Sequence, residues 1–351
     1  MSSAFKGGVR GAKMTNDEAR MTKGARSLKS ETTAFHRTGQ FGHSGFVITT
    51  VDQTACPATF HRMPRVIEKP EITKIAAPDF NLLMTLESGQ VFHWHQQENG
   101  WAGTIKDQPV SIEQRGGSLF VSPGSEEIVT QYFSLNHPLR EIYKTFPGDP
   151  DMNAALDYCN GITVIQQPVW ECLATFITSS LKQVPHIRQM SLAIRKRWGK
   201  PVFFPGFDLH TYPEPERLAE ASEAELRECK LGFRAKNLLG TARMIAEGKV
   251  DLEAICATDD AEALAELCRL PGVGEKVANC VLLFAYGRLR AFPIDVWIER
   301  VLREIYFKGK RKVTAQRLKQ FSMDYFGPYG GYAQQYLFHH ARKTYRLKAG
   351  S

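Results

Sequence analysis

Lys276 occupies a position from which an amine could act as a nucleophile. It lies in the first turn of a predicted helix that follows the turn Pro271-Gly272-Val273-Gly274. A cation is electrostatically misplaced there, because the amino end of a helix already carries partial positive charge. Under one interpretation the side chain extends to solvent or to a phosphate. Under the other, the helix dipole and burial lower the pKa of the amine, which attacks an electrophilic sugar carbon and holds it as a Schiff base.

Asp295 is a second candidate for chemistry at a sugar. It follows Pro293, which stops an incoming helix, and it precedes a run of helical period that starts at Val296. This is the position of an N-cap, and capping is a sufficient structural explanation. A catalytic role is compatible with capping, because backbone N–H groups keep the pKa of the carboxylate low. Its charge would then stabilise an oxocarbenium-like sugar as a base departs.

The turn between the predicted helices Ala261–Leu270 and Glu275–Ala285 could bind an anion. Gly272 and Gly274 permit positive φ angles and the close approach of another backbone. The N–H groups at the start of the second helix, together with its dipole, suit a phosphate. Such a helix–hairpin–helix grips DNA by its backbone rather than by its bases. An ordinary corner between two helices is the alternative, since glycine is common at helix ends.

The elements that must position these residues fall into three regions. Residues 1–60 are rich in Gly, Ser, Thr and Lys/Arg without a persistent period, which predicts a disordered basic tail. Residues 70–160 form a predicted antiparallel β-sheet domain, and residues 161–345 form a predicted all-helical domain with its hairpin at 270–274. The predicted strands are Phe80–Met84, Gln90–Trp94, Gly100–Ile105 and Ser118–Ser122. Helices are predicted at 168–177, 187–198, 224–231, 236–247, 261–270, 276–285, 296–305, 315–325 and 332–345.

The formal net charge of +8 is carried by the ends of the chain. Residues 1–65 contain ten Lys/Arg and four Asp/Glu, and the last eleven residues contain four Lys/Arg and no acid, so the body is slightly acidic. No apolar run approaches the roughly 20 residues of a membrane span, and no signal peptide opens the chain. Seven cysteines, odd in number and widely spread, argue against a disulfide framework and indicate a reducing compartment.

The segments Leu270–Cys280 and Pro293–Val296 closely resemble the helix–hairpin–helix DNA glycosylase superfamily. The specific resemblance is to the 8-oxoguanine DNA glycosylase/AP lyase family, and it covers residues 75–345. The supporting segments are Ser88–Trp94, Glu171–Ser180, Leu231–Lys236 and Phe326–Gln334. The resemblance implies an α+β fold, in which an N-terminal antiparallel, TBP-like β-sheet domain precedes an all-helical helix–hairpin–helix glycosylase domain.

The resemblance also implies a base-excision repair enzyme. It would flip 8-oxoguanine, and also ring-opened purines, out of duplex DNA and remove the base. Lys276 would displace the base at C1′ and then direct β-elimination of the 3′ phosphate, while Asp295 would stabilise the charged sugar and assist proton transfers. Two alternatives stay open at this point. They are a non-catalytic helix–hairpin–helix DNA-binding protein and a monofunctional glycosylase for alkylated or deaminated bases.

Four residues would recognise the flipped base by this resemblance. The Gly89 carbonyl would accept the N7–H that 8-oxoguanine has and guanine lacks. Cys280 lies one turn after Lys276, where the family places a thiol against the base. Gln334 would bond the Watson–Crick edge, and Phe338, at i+4 on the same helix face, would stack on the ring. Packing in the core is the alternative for Cys280, Gln334 and Phe338.

The resemblance places the remaining DNA contacts on two turns. The N–H groups of Gly272, Val273 and Gly274 would hold a backbone phosphate. Phe233 would wedge into the gap left by the flipped base, while Arg234 would contact the widowed base opposite.

Three positions depart from the family's pattern. Leu181 stands where the family has a wedging Asn, His186 replaces an Arg that pairs with the orphaned cytosine, and Trp297 replaces a His. Leucine can fill the gap, but it cannot hydrogen-bond the opposite base. We therefore predict relaxed discrimination of the opposite base, by roughly 1–3 kcal/mol for each lost contact.

No cofactor is expected to be required. Iron–sulfur relatives place four cysteines near the C-terminus, whereas no cysteine follows Cys280, so no cluster is expected. No His/Cys/carboxylate grouping has zinc spacing. The resemblance implies a structural monovalent cation at the hairpin carbonyls of Cys268, Leu270 and Val273. The expected partner is double-stranded DNA with oxidised guanine rather than a membrane. We expect an intracellular monomer, in a prokaryotic cytoplasm or a eukaryotic nucleus or mitochondrion.

Overall fold

The structure, a computed structural model, describes residues 72–309 and 312–348. The predicted disordered tail, residues 1–60, lies outside the described residues. The described residues belong to one unit, in which a sheet precedes a set of helices along the chain, so the predicted order of the two parts is confirmed. Among them, no helix combines the length and the apolar character that a membrane crossing requires.

A five-stranded antiparallel sheet forms the N-terminal part, in the order β1-β5-β4-β3-β2. Its strands are β1 (Thr73–Ala76), β2 (His95–Gln97), β3 (Gly100–Ile105), β4 (Gln108–Arg115) and β5 (Ser118–Val121). Two-residue turns join β2 to β3, β3 to β4 and β4 to β5, so these four strands form a meander. Alternate residues of β4 and β5 are buried in a core that also contains Trp94 and Phe133.

Two of the predicted strands are wrong. Residues 82–87 form a helix, α1 (Leu82–Glu87), because Asn81 caps it by accepting a hydrogen bond from the Met84 N–H at 3.0 Å. Residues 90–94 are buried but irregular, since Gln90 bonds to residues 163, 165 and 167 instead of to a neighbouring strand. β1, β2 and β4 were not predicted, and polar residues occupy most of the length of β4.

Fourteen α-helices occur in the described residues. After α1 they are α2 (Glu126–Tyr132), α3 (Leu139–Lys144), α4 (Pro150–Cys159), α5 (Val169–Ser179), α6 (Val184–Trp198), α7 (Pro215–Ala219), α8 (Glu223–Glu228), α9 (Arg234–Ala246), α10 (Asp260–Cys268), α11 (Glu275–Phe284), α12 (Val296–Val301), α13 (Ala315–Tyr325) and α14 (Gly330–Lys348). The nine predicted helices match these to within a few residues. A hairpin of β6 (Pro201–Phe204) and β7 (Phe207–His210) interrupts the helices and was not predicted.

The described residues have two hydrophobic cores. One lies under the five-stranded sheet, and the other is shared by the helices. Residues of α3 and α4 belong to the helical core, where α4 packs against α14. Ile165, however, lies in the core under the sheet, so the predicted boundary at residue 160 stays a prediction.

Arg195 of α6 ties the helices to the sheet. Its guanidinium is buried, pairs with the buried Glu171 carboxylate of α5, and donates to the Thr104 hydroxyl of β3 at 3.2 Å and the His210 carbonyl of β7 at 3.1 Å. His93 lies at the same junction, because its Nε2–H donates to the Thr104 carbonyl at 2.8 Å and its Nδ1 lies 3.4 Å from Glu171 Oε1. Burial raises the pKa of Glu171, and the charge of Arg195 opposes that rise.

Replacement of Arg195 by Met should lower the free energy of unfolding by about 3–5 kcal/mol, because it leaves a buried carboxylate without its partner. Urea denaturation followed by circular dichroism measures the change. Arg197→Met is the matched control on the same helix, since Arg197 pairs with Glu225 and Glu228 at the surface and its loss should leave stability nearly unchanged. Equal midpoints for the two variants would contradict the role of Arg195.

Candidate active site

The hairpin between α10 and α11 has the geometry that its first glycine predicts. Gly272 has a φ angle of +79°, and a Cβ there would lie 2.7 Å from the Cβ and the Nδ2 of Asn237, so only glycine fits. The Thr241 hydroxyl donates to the Pro271 carbonyl at 3.0 Å and ties the turn to α9. The protein's own packing therefore fixes this turn.

Gly274, by contrast, is not required by the packing of the protein. It caps α11 in an extended conformation, and a Cβ there would meet no atom within 4 Å. In the part of the chain that the structure describes, the first hydrogen bond of α11 runs from the Ala278 N–H to the Gly274 carbonyl. The N–H groups of residues 275–277 thus have no acceptor within the helix. Open space in front of such groups suits a phosphate.

Lys276 lies against an aromatic ring instead of extending into solvent. Its Nζ is 5.2 Å from the centroid of the Phe176 ring on α5, which is within the range of a cation–π interaction. Phe176 in turn stacks on Phe284, with ring centroids 5.5 Å apart. The Cys280 thiol lies one turn further along α11, within electrostatic range of the Lys276 amine. The amine is therefore held in place by α5 and α11 together.

Asp295 is the N-cap of α12, and its Oδ1 accepts a hydrogen bond from the Ile298 N–H at 2.8 Å. The expected low pKa is wrong, because burial raises the pKa of this carboxyl. Backbone hydrogen bonds from residues 297 and 298 and the charge of Lys276 oppose that rise without cancelling it. Because the charge of Lys276 acts on the pKa of Asp295, the two candidate catalytic side chains lie within electrostatic range of each other.

Gly89 lies directly against α14. It has a φ angle of +88°, and a Cβ there would lie 2.7 Å from Arg342 Nη1, 3.3 Å from Phe338 Cε1 and 3.7 Å from Val184 Cγ2. The absence of a side chain therefore lets the loop backbone approach the helix face that carries Phe338. The structure thus brings together Gly89 and Phe338, two of the four residues expected to contact a base.

Gln334 lies one turn before Phe338 on α14 and is buried. Within the described residues, its Oε1 has no hydrogen-bond partner. A buried amide oxygen without a partner is costly, and such a group is typical of a residue that bonds a ligand. Cys280 is also buried, and burial raises the pKa of its thiol, so it stays a neutral packing group at physiological pH.

Leu181 and Phe233 are two exposed apolar residues on turns that Arg234 joins. Their side chains are 84% and 54% exposed. Leu181 also has a φ angle of +55°, a left-handed conformation that costs a leucine about 1–2 kcal/mol. Exposed apolar groups on a strained turn suit contact with the interior of an opened duplex.

The expectation that Arg234 contacts the widowed base is not met by its position. Its guanidinium is buried, and Nε donates to the Ser180 carbonyl at 2.6 Å while Nη1 donates to the Leu231 carbonyl at 3.2 Å. It also stacks on the Phe233 ring at 4.3 Å. Arg234 therefore holds together the turns that carry Leu181 and Phe233. His186 is exposed near the start of α6, so its position is compatible with a DNA contact.

Two residues of the site had no role in the sequence analysis. Phe176 supports the Lys276 amine, and Arg342 lies over the Phe338 ring at 5.4 Å and donates to the Glu87 carbonyl. The spacing of 334, 338 and 342 is a signal that could have found Arg342, because these positions share one face of α14. Phe176 gave no such signal, since it lies in a run that is apolar throughout.

No group of three or more His, Cys, Asp or Glu side chains in the described parts is arranged to hold a metal ion. At the hairpin, the Leu270 carbonyl accepts the Val273 N–H at 3.1 Å. The carbonyls of Cys268 and Val273 accept no hydrogen bond from the described residues. These two oxygens are chemically suited to an oxygen-coordinated cation.

Comparison with known proteins divides the chain in the same way as the fold. The family model for the N-terminal domain of 8-oxoguanine DNA glycosylase matches residues 72–173. The model for the HhH-GPD superfamily of base excision DNA repair proteins matches residues 176–324, which include Lys276 and Asp295.

Individual relatives cover most of both chains. The "Probable N-glycosylase/DNA lyase" of Methanothermobacter thermautotrophicus is 29% identical over 304 residues, which are 77% of this chain and 96% of the relative. A structure of MBOgg1 in complex with a low-affinity DNA ligand has a TM-score of 0.74 at 31% identity and covers 78% of this chain and 99% of that one. The 8-oxoguanine glycosylase/lyase of Clostridium acetobutylicum, in complex with DNA containing cytosine opposite 8-oxoG, has a TM-score of 0.73 at 30% identity, with coverages of 78% and 98%. This chain therefore belongs to the 8-oxoguanine DNA glycosylase/lyase family of the helix–hairpin–helix superfamily, and it is a DNA N-glycosylase/lyase.

Proposed function

We propose that this glycosylase/lyase removes 8-oxoguanine, and also ring-opened purines, from duplex DNA through a Schiff base at Lys276. The observation that carries the proposal is the arrangement of three groups. The Lys276 amine lies over the Phe176 ring, and the Cys280 thiol and the half-buried Asp295 carboxyl are within its electrostatic range. A purely DNA-binding hairpin needs neither the lysine nor the aspartate.

In the proposed reaction, the damaged nucleotide is flipped out of the duplex, because its glycosidic bond is shielded within the stack. Asp295 as a carboxylate stabilises the positive charge that develops on the sugar as the bond to the base breaks. The Lys276 ammonium gives a proton to the departing base, and the resulting amine forms a bond to C1′. Transfer of a second proton from its nitrogen to O4′ breaks the C1′–O4′ bond and yields a protonated imine. That imine acidifies C2′, so water removes the C2′ proton, and the electron pair forms a C2′–C3′ double bond as the C3′–O bond breaks with departure of the 3′ phosphate.

Recognition of the base is proposed to rest on α14 and the facing loop. The Gly89 carbonyl would accept the N7–H of 8-oxoguanine, a donor that guanine lacks. Gln334 would bond the Watson–Crick edge, and Phe338 would stack on the ring. Rejection of guanine follows because a base without the N7–H leaves a carbonyl unpaired in a desolvated site.

The amine nucleophile needs neither an activated water nor a redox group, so we propose that the reaction requires no cofactor and no iron–sulfur cluster. The free carbonyls of Cys268 and Val273 support a structural monovalent cation at the hairpin. Such an ion would neutralise charge beside a bound phosphate. Since one chain contains all the proposed groups, we also propose that the enzyme acts as a monomer on double-stranded DNA.

Borohydride trapping tests the lysine. Reduction of an imine makes the bond permanent, so the wild-type protein should form a covalent adduct with an 8-oxoguanine duplex, and Lys276→Gln should form none. Lys319→Gln is the matched control, because this lysine pairs with Glu275 beside the hairpin and has no proposed chemical role. A shift in denaturing gels measures the adduct. Intact binding by wild-type protein with neither adduct nor strand break would overturn the Schiff-base mechanism.

Asp295→Asn should slow base release about 10²- to 10³-fold and leave DNA binding unchanged, because it removes a charge needed only as the sugar becomes positive. Asp259→Asn is a matched control, since Asp259 caps α10 in the same way away from the proposed site.

Burial raises the pKa of Asp295. As the pH is lowered, the wild-type rate of base release should therefore begin to fall at a pH above the range in which an ordinary aspartate takes up its proton. Single-turnover kinetics across pH measure both effects, and an unchanged rate in Asp295→Asn would remove its proposed role.

Leu181 and His186 should leave the enzyme with weak preference for the base opposite the lesion. Single-turnover rates opposite cytosine and adenine should differ by less than about tenfold in the wild type. The double variant Leu181→Asn/His186→Arg should raise the preference for cytosine by about tenfold or more per restored contact. Leu181→Gly is the control, because it relieves the left-handed backbone without adding a hydrogen bond. A strong wild-type preference for cytosine would contradict this prediction.

A further inference from the structure

Three carbonyls of the loop that carries Gly89 are held by side chains from distant parts of the chain. These are the carbonyls of residues 87, 88 and 90, and their respective donors are Arg342, Gln335 and Gln167. Within the described residues, the Gly89 carbonyl accepts no hydrogen bond. The loop is thus fixed on both sides of Gly89. Of the carbonyls of residues 87–90, that of Gly89 is the one left to accept a hydrogen bond from a ligand.

Gln335 provides the anchor immediately before Gly89. It is buried on α14, and its Nε2 donates to the Ser88 carbonyl at 3.0 Å. This carbonyl belongs to the peptide group that also contains the Gly89 N–H. The anchor therefore sets the plane of the peptide from which the Gly89 backbone turns.

Gln90 provides the anchor immediately after Gly89. Its Nε2 donates to the Thr163 carbonyl at 2.7 Å, and its Oε1 accepts the Ile165 N–H at 2.8 Å. Gly89 itself has no Cβ to restrict its φ and ψ angles, and its φ of +88° is one of many values that glycine tolerates. The direction of its carbonyl must therefore be set by the groups on either side.

We propose that Gln335 is a positioning residue for base selectivity, which aims the Gly89 carbonyl at the base through its hydrogen bond to Ser88. This inference rests on the proposed recognition of 8-oxoguanine by that carbonyl. Gln335 follows Gln334 directly, so adjacent residues of α14 would contribute to recognition of two different edges of the base. Gln334 faces the base itself, while Gln335 orients the acceptor contributed by the sheet part of the chain.

The variant Gln335→Met tests the proposal, since methionine has a similar shape and cannot donate. Binding is measured in the Lys276→Gln background, where the base stays attached, with matched duplexes containing 8-oxoguanine or guanine. Gln335→Met should weaken binding of the 8-oxoguanine duplex about five- to tenfold, the factor expected for one hydrogen bond, and leave the guanine duplex unchanged. Cleavage of a preformed abasic site is measured in protein that retains Lys276. There Gln335→Met should stay within about twofold of wild type, because no base is present to be recognised.

Tyr332→Phe is the control, because it removes a partly buried side-chain hydrogen bond of α14, to His137 at 2.7 Å, that lies outside the loop. It should change neither measurement. If Gln335→Met loses abasic-site cleavage and 8-oxoguanine binding in parallel, Gln335 has a merely structural role and the proposal is overturned. An unchanged ratio of binding between the 8-oxoguanine and guanine duplexes would also overturn it. A parent protein that binds both duplexes equally would instead refute the proposed function, so the two failures are distinguishable.

Discussion

The burial of α5 is the constraint on which the rest of the structure depends. Every residue from Glu171 to Ser179 is buried, so each polar group on the helix must find a partner and each apolar face a neighbour. Glu171 meets Arg195 and thereby joins the sheet to the helices. Phe176 supports the lysine amine, and the carbonyl that follows the helix, at Ser180, is held by Arg234. The fold, the proposed catalytic lysine and a turn proposed to contact DNA therefore all depend on this one helix.

Burial also determines the electrostatics of the catalytic pair. A capping aspartate on an exposed helix would have a lowered pKa, because backbone N–H groups favour its charged form. Here desolvation outweighs those hydrogen bonds, and the pKa of Asp295 is raised instead. The carboxylate is then poorly solvated, so a positive charge that develops on a sugar nearby would interact with it strongly. Lys276 and Asp295 are thus close enough to interact in surroundings where water screens little.

The sequence allowed prediction of features whose physical cause is local. The hairpin, Lys276 in the first turn of α11 and the cap at Asp295 all follow from glycine, proline and capping preferences within a few residues. Residues 80–84 were mistaken for a strand because a six-residue helix, with its cap at Asn81, is too short to establish a helical period. The positions of Arg234 and Gln335 could not be predicted, since their bonds join residues 54 and 247 apart in the chain. Such contacts exist only after the sheet and the helices have packed.

The two halves of the proposed reaction depend on different contacts. The groups proposed to act on the sugar are held by α5, α11 and α12, whose buried apolar residues belong to the helical core. The acceptor that would distinguish the damaged base is a backbone carbonyl in a loop of the sheet part, and its direction depends on how α14 contacts that loop. Because no side chain at Gly89 carries the specificity, a substitution on α14 could alter it while the lysine chemistry stays intact. Under the proposed recognition, selectivity would therefore depend on packing between α14 and the loop, rather than on the side chain of the residue that bonds the base.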